Sequence, residues 1–276
     1  MNLPPLPPTI YPLNNEDSFR VDQMGSADMA NCLTCGGTKK FRWYVYASGI
    51  YDSSTDEVGY ECPCIDQWLL HRHLLSSGIL VNYQRYSIFD SRSSEVNESM
   101  SEYIDDFDAY IRNGLGMILH GSSGTGKTLS AVLIAKALIL RGVSVHFATF
   151  NELISSFAAG WHNEESKAWF YKKIKNASVL IIDDVGKEMK SQGSLGLSRS
   201  VIDEVLRHRV GMSKPTFITT NSTMEDMSKL YGLSVLSLLS ESSIERTFTG
   251  EDYRRKVAEL KLDETRRGLT RPVVLV

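Results

Sequence analysis

Residues 121–128 read GSSGTGKT, with the apolar run Met117-Ile118-Leu119 ahead of them and LSAVLIAKALIL behind. A glycine-rich loop between a buried strand and an apolar helix turns several backbone N–H groups inward, at the positive end of the helix dipole. That arrangement is an anion cradle. Gly121 and Gly126 bound the loop, and Ser122, Ser123, Gly124 and Thr125 form its bend. Lys127 is expected to reach the β and γ phosphates of a nucleotide, and the Thr128 hydroxyl to hold Mg2+. A lone Gly-Lys-Thr would carry little weight; the full spacing in a strand-loop-helix setting is specific.

The rest of the chain fits that requirement. From Gly114 onward apolar strands alternate with helical stretches: GMILH, VSVHFAT and SVLIIDD, each followed by a helical segment, and then PTFITTN. Such alternation predicts an α/β fold with a mostly parallel sheet between helices. The third strand delivers Asp183 and Asp184 to the C-terminal edge of the sheet, where open α/β folds bind ligands. Asp183 is expected to approach Mg2+ through water, and Asp184 to orient or deprotonate an attacking water. Asn221, at the end of PTFITTN, is placed to touch the γ-phosphate or that water. Upstream, YIDDFDAYIRNG has helical spacing at Tyr103, Ile104, Phe107, Tyr110 and Ile111, whereas SRSSEVNESMSE reads as a polar linker or loop.

Composition narrows the class. With 276 residues the chain has room for one large or two modest domains. A net charge of −3 excludes a polyelectrolyte that binds nucleic acid with its whole surface; any such contact must be local. The first residues, MNLPPLPPTIYPLNN, lack the basic and apolar regions of a secretory signal, and no run is long and apolar enough for a membrane span. A cytoplasmic protein without membrane contact is the expectation.

The four cysteines, Cys32, Cys35, Cys62 and Cys64, stand in one place as C-x2-C and C-x-C. In a reducing compartment they read as four thiolate ligands of structural Zn2+, on knuckles presented by a hairpin built from KFRWYVYA and VGYEC. A redox dithiol pair lacks the surrounding βαβ pattern it would need. His71 and His73 follow on the helical stretch IDQWLLHRHLL and read as surface residues, a ligand swap with one cysteine being the minor alternative. The expected organisation is a zinc-ribbon-like module over 1–82 and an ATPase domain over 83–276.

Taken in order, GSSGTGKT, VLIIDDVGKE, VIDEVLRHRVGMSKPTFITTNSTMEDMSKLYG and TGEDYRRKV resemble the AAA+ ATPases, and among them the DnaC/DnaI-type helicase loaders and the related IstB transposition ATPases. The resemblance runs from about Tyr83 to Lys256. It implies ATP hydrolysis, self-association through the ATPase domain, a hexameric replicative helicase as partner of the N-terminal module, and single-stranded DNA as partner of the ATPase domain. Loaders of this group often carry a zinc module and IstB-like proteins generally lack one, so the cysteines favour the loader; a target selector for a transposase is the alternative.

Two helical pieces, NELISSFAAGW and ESKAWFYKKIKN, stand where one would complete a crossover, which matches the extra DNA-facing helix of the initiator and loader clade. Phe157, Trp161, Lys172, Lys173 and Lys175 offer the aromatic faces and cations that single strands use, though the same apolar spacing also suits a core. Arg254, in EDYRR, matches the family's terminal arginine, a phosphate sensor in cis. Leu238 stands where the family has an arginine that reaches the neighbouring subunit's γ-phosphate. Arg246, Arg207 and Arg209 are the remaining candidates for that finger, Arg209 also matching an arginine usual before the sensor strand. Without one, the resemblance implies slow hydrolysis until a partner completes the site.

Overall fold

The structure, a computed structural model, describes residues 40–45, 56–61, 73–86, 94–187 and 195–269. Two short strands, β1 (Lys40–Val45) and β2 (Asp56–Glu61), pair antiparallel with Lys40 opposite Glu61 and Val45 opposite Asp56. They are the hairpin expected between the cysteine pairs; the four cysteines and His71 lie outside the described residues.

The larger unit runs α1 (Val81–Gln84), α2 (Ser94–Asp105), α3 (Phe107–Arg112), β3 (Gly116–Gly121), α4 (Lys127–Leu140), β4 (Val145–Thr149), α5 (Phe150–Ala159), α6 (Glu164–Phe170), a π-turn over Tyr171–Lys175, β5 (Val179–Val185), α7 (Leu195–Gly211), β6 (Thr216–Thr220), α8 (Met224–Tyr231), α9 (Leu233–Ser242), β7 (Ser243–Phe248) and α10 (Arg254–Arg266). Five strands form one parallel sheet in the order β4-β5-β6-β3-β7. Parallel strands covered on both faces must be apolar at nearly every position. Alternate residues therefore serve two cores: Met117, Leu119, Phe147, Ile181 and Phe217 pack under α2 and α4, while Ile118, Ala148, Leu180, Ile182 and Ile218 pack under α5, α7, α8 and α9.

Two sequence expectations change. The run expected as a linker is helix α2 from Ser94 on, because Val96, Met100, Tyr103 and Ile104, at helical spacing, are all buried against α4 between the polar residues that suggested a loop. Leu74, Leu75 and Ile79 are buried in the same core, so the packing of the ATPase body reaches N-terminally past residue 83 to Leu74. Elsewhere local signals suffice. Thr149 and Glu152 close a capping box that starts α5, and Asn163 accepts from Glu165 and Ser166 N–H to start α6.

Candidate active site

The predicted residues converge at the C-terminal edge of the sheet. β3 is flanked by β6 and β7 while its own chain continues through α4 to β4 at the far edge, so the strand order reverses beside β3 and opens a crevice there. The loop from Gly121 to Gly126 crosses this crevice. Gly124 and Gly126 have φ of 82° and 103°, a left-handed backbone that glycine adopts without strain, and this turns the loop's N–H groups toward the start of α4. A Cβ on Gly124 would stand 1.9 Å from Asp252 Oδ1, so a side chain there would also push away the chain that closes the cleft. Thr125 is buried and its hydroxyl donates to Ser122 O at 2.9 Å; Ser122 and Ser123 form the exposed tip. Lys127 Nζ donates to Gly121 O (2.9 Å) and Ser122 O (2.5 Å). Burial lowers its pKa, opposed by the charge of Asp184 and reinforced by Arg254.

Thr128 Oγ1 donates to Asp183 Oδ1 at 2.8 Å, which ties the first turn of α4 to the end of β5. A hydroxyl and a carboxylate at this distance are hard oxygen donors of the kind Mg2+ takes beside a phosphate, so the residues fit the expected cation. Thr219 Oγ1 donates to the same carboxylate oxygen at 2.6 Å and accepts from Asp184 N–H at 3.0 Å. Sequence reasoning missed Thr219; the first hydroxyl of ITT, one residue from the strand end, was its only trace. Burial raises the Asp183 pKa, and the bonds from Thr219 and Thr128 oppose the rise.

Asp184 points elsewhere. Its φ is 61°, uncommon for a residue with a side chain, and the β5·β6 register shifts between Ile182 and Val185. This irregularity sends two successive carboxylates to different partners, which is how bulges re-aim side chains beside active sites. Asp184 Oδ2 accepts from Lys187 Nζ at 2.5 Å. Asn221 follows β6 on the same sheet edge and is exposed.

A cleft of about 400 Å³ continues from the loop between α1 and α10. Gly124, Gly126 and Thr128 form its phosphate end; Asn82, Tyr83 and Tyr86 line one wall, Tyr253 and Arg254 the other. That volume suits a nucleotide. Arg254 N–H is held by Asp252 Oδ1 at 2.9 Å, and Tyr253 N–H donates to Gly124 O at 3.0 Å, so the arginine begins a helix anchored on the loop. Burial raises the Tyr83 pKa, with the charge of Asp183 adding to the rise and the Thr128 hydroxyl opposing it.

A family model described as IstB-like ATP binding protein matches residues 98–255, more than half of the chain. The chain belongs to this family. It is 27% identical over 178 residues to the replicative helicase loader DnaC of Escherichia coli K12, covering 64% of this chain and 70% of that protein. With the replicative helicase loader DnaI of Bacillus subtilis it shares 24% identity over 183 residues, 63% of this chain and 57% of the relative. An insertion-sequence ATP-binding protein of Mycobacterium tuberculosis is 29% identical over 133 residues, 48% of this chain and 50% of the relative. The crystal structure of the DnaC helicase loader superposes with a TM-score of 0.51 at 23% identity over 64% of this chain and 98% of that one. For the crystal structure of DnaI the values are 0.52, 22%, 64% and 94%. The architecture is that of an AAA+ ATPase, and membership of the IstB/DnaC-like family makes the chain an ATP-binding ATPase.

Within this AAA+ body the candidate finger arginines are occupied. Arg209 is fully buried, and its guanidinium donates to Pro215 O (2.7 Å), Ile174 O (2.9 Å), Ala177 O (2.9 Å) and Thr216 Oγ1 (2.9 Å). Burial drops its pKa to about 9; it is a structural clamp, not a finger. Arg246 lies within β7 with a forked ion pair to Glu102. Arg207 stays exposed, bonded to Asp203 and to Ser234 Oγ on α9. Leu238, on α9, is partly buried and packs against the core beneath that helix. Two expected DNA-facing residues are likewise committed. Phe157 packs edge-on against Phe170 at 5.4 Å, and Lys175 is buried, bonded to Glu204 at 2.5 Å. Trp161, Lys172 and Lys173 remain accessible to differing degrees, and exposed Trp169 and Tyr171, which sequence reasoning passed over, join them. Among the described residues no group of three or more His, Cys, Asp and Glu side chains is gathered to hold a metal ion, and no helix is long and apolar enough to cross a membrane.

Proposed function

We propose that this chain is an ATP-dependent loader that binds a hexameric replicative helicase and single-stranded DNA, with ATP binding and hydrolysis acting as its switch. The observation that carries this reading is the similarity to DnaC across the ATPase body, 64% of the chain, in a protein whose N-terminal stretch also bears the two cysteine pairs. In this reading the loop N–H groups and Lys127 bind the phosphates. Thr128 and Asp183 hold Mg2+, which neutralises charge on the β and γ phosphates when bound. Asp184 orients the attacking water and takes its proton as the bond from the γ-phosphorus to the bridging oxygen breaks; Asn221 steadies the water, and Arg254 senses the phosphates from across the cleft. The Asp184–Lys187 pair and the leucine at 238 favour slow turnover by the protein alone. Copies of the chain self-associate through the ATPase domain, and a partner supplies what Leu238 does not.

Cys32, Cys35, Cys62 and Cys64 bind Zn2+ in this proposal and shape a head that grips the helicase. The antiparallel hairpin supports it, because with Lys40 opposite Glu61 the chain leaves both strands toward the cysteine pairs at one end. The insertion-sequence relative supports a second reading, a DNA-target selector for a transposase. Capture by purified hexameric helicase separates the two. The loader reading expects the full chain with ATP to be retained by helicase and to place it on circular single-stranded DNA, and expects a variant with all four cysteines changed to serine to lose zinc and capture while keeping ATPase activity. Retention by a transposase instead, with no helicase capture, contradicts it.

A further inference from the structure

We propose that Lys136 is a positioning residue for nucleotide binding: from the helix that begins at the phosphate loop, it fixes the wall against which the base of ATP rests. The proposal rests on ATP occupying the cleft between α1 and α10.

Lys136 lies in α4 with no exposed surface, a rare place for a lysine unless its ammonium is satisfied. Its Nζ donates to Gln84 O at 2.8 Å, the last carbonyl of α1, and to Tyr86 O at 2.5 Å, two residues further on. A four-residue helix has no stability of its own, and a cation on its last carbonyls is what holds such an end in place. Gln84 completes the anchor from its buried side chain, Nε2 donating to Ile79 O at 2.6 Å. The segment is thereby pinned from beneath, and its other side turns Asn82, Tyr83 and Tyr86 to the cleft. The two tyrosine rings are 6.2 Å apart and tilted, an aromatic surface suited to a flat heterocycle.

One helix thus sets both ends of the ligand. Its first turn carries Lys127 and Thr128 for the triphosphate, and Lys136 further along holds the wall for the base. The chain that forms the wall arrives from the N-terminal side along β4, where Phe147 N–H donates to Ser77 O at 2.7 Å.

Binding of ATP and of inorganic tripolyphosphate, which has no base, separates this role from general support of the helix. Lys136→Met is expected to weaken ATP binding about tenfold, to raise KM for ATP with kcat nearly unchanged, and to leave tripolyphosphate affinity within about twofold of wild type. Lys136→Arg, which keeps donors at the end of a long stem, should restore most of the loss, and Tyr83→Ala with Tyr86→Ala should reproduce it in a protein whose Lys136 is intact. Equal loss for both ligands, or none for either, overturns the proposal. Wild type and Lys127→Ala report on the premise: if wild type binds neither ligand, or if Lys127→Ala binds both as well as wild type, the cleft is not the nucleotide site, a failure distinct from that of Lys136.

Discussion

Asp183 and Asp184 are identical side chains on adjacent residues, yet one is buried between two hydroxyls and the other lies half out of the protein against a lysine. The difference comes from one left-handed residue and a break in strand register, neither of which a sequence displays. The order of the motifs was enough to find the pair; the division of labour needed Thr219 and Lys187, whose residue types carry no signal of their own. A similar gap separates Arg209 from Arg246 and Arg207. All three stood as finger candidates in sequence, Arg209 with a family match of its own, but only packing shows that Arg209 is sealed against the chain that leads into β5 and β6. His146 supplies a test at this scale. Burial, with Lys173 adding, lowers its pKa from 6.5 to about 4, and its ring packs edge-on to Trp169. Below pH 6.5 the unfolded chain accepts a proton that the fold refuses, so stability contributed by the neutral ring is present at pH 7 and drains away as pH falls from 6.5 toward 4. The full loss is about 3 kcal/mol by linkage. Denaturant melts should show that His146→Gln loses less stability than wild type between pH 7 and pH 5; parallel losses contradict the assignment.

At the scale of elements, β3, β4, β5, β6 and α4 were legible because each is a mainly apolar run between turn signals, the pattern that a doubly covered parallel strand must have, whereas the polar edge strand β7, SIERTF, carries no such signal. Helix α2 was not. Its polar residues outnumber its buried ones, and only the presence of α4 reveals that Val96, Met100, Tyr103 and Ile104 form one face. The segment after α5 was read for its composition, and packing sorted its members: Phe157 and Lys175 turned inward, while Trp161 at 63% exposed, Trp169 at 43% and Tyr171 at 43% stayed outside with Lys172. The proposed single-strand contact therefore belongs to those aromatics and to Lys172 and Lys173. Replacing the three aromatics by alanine should weaken single-stranded DNA binding by about 1–3 kcal/mol for each base that loses its stacking partner. Changing both lysines to glutamate should lower the salt slope by about 1.4, the contribution of two phosphate contacts. Binding titrations across a salt series read both; an unchanged slope and affinity would remove this surface from the account.

For the whole molecule, the sheet order brings the end of β3, the end of β5 and the start of α10 to one crevice, although they are far apart in the chain. Sequence motifs anticipated that meeting because each ends an apolar strand or opens a helix. The wall built by α1 was not anticipated, since nothing in VNYQRY marks a ligand surface until the buried lysine beneath it is seen. The organisation makes a direct demand: an intact phosphate loop for binding, and a free carboxylate on Asp184 for turnover. ATP binding and hydrolysis should be measured on wild type, Lys127→Ala and Asp184→Asn in parallel. The account predicts saturable ATP binding by wild type and by Asp184→Asn, none by Lys127→Ala, and turnover only in wild type; normal hydrolysis by Asp184→Asn, or undiminished binding by Lys127→Ala, would contradict it.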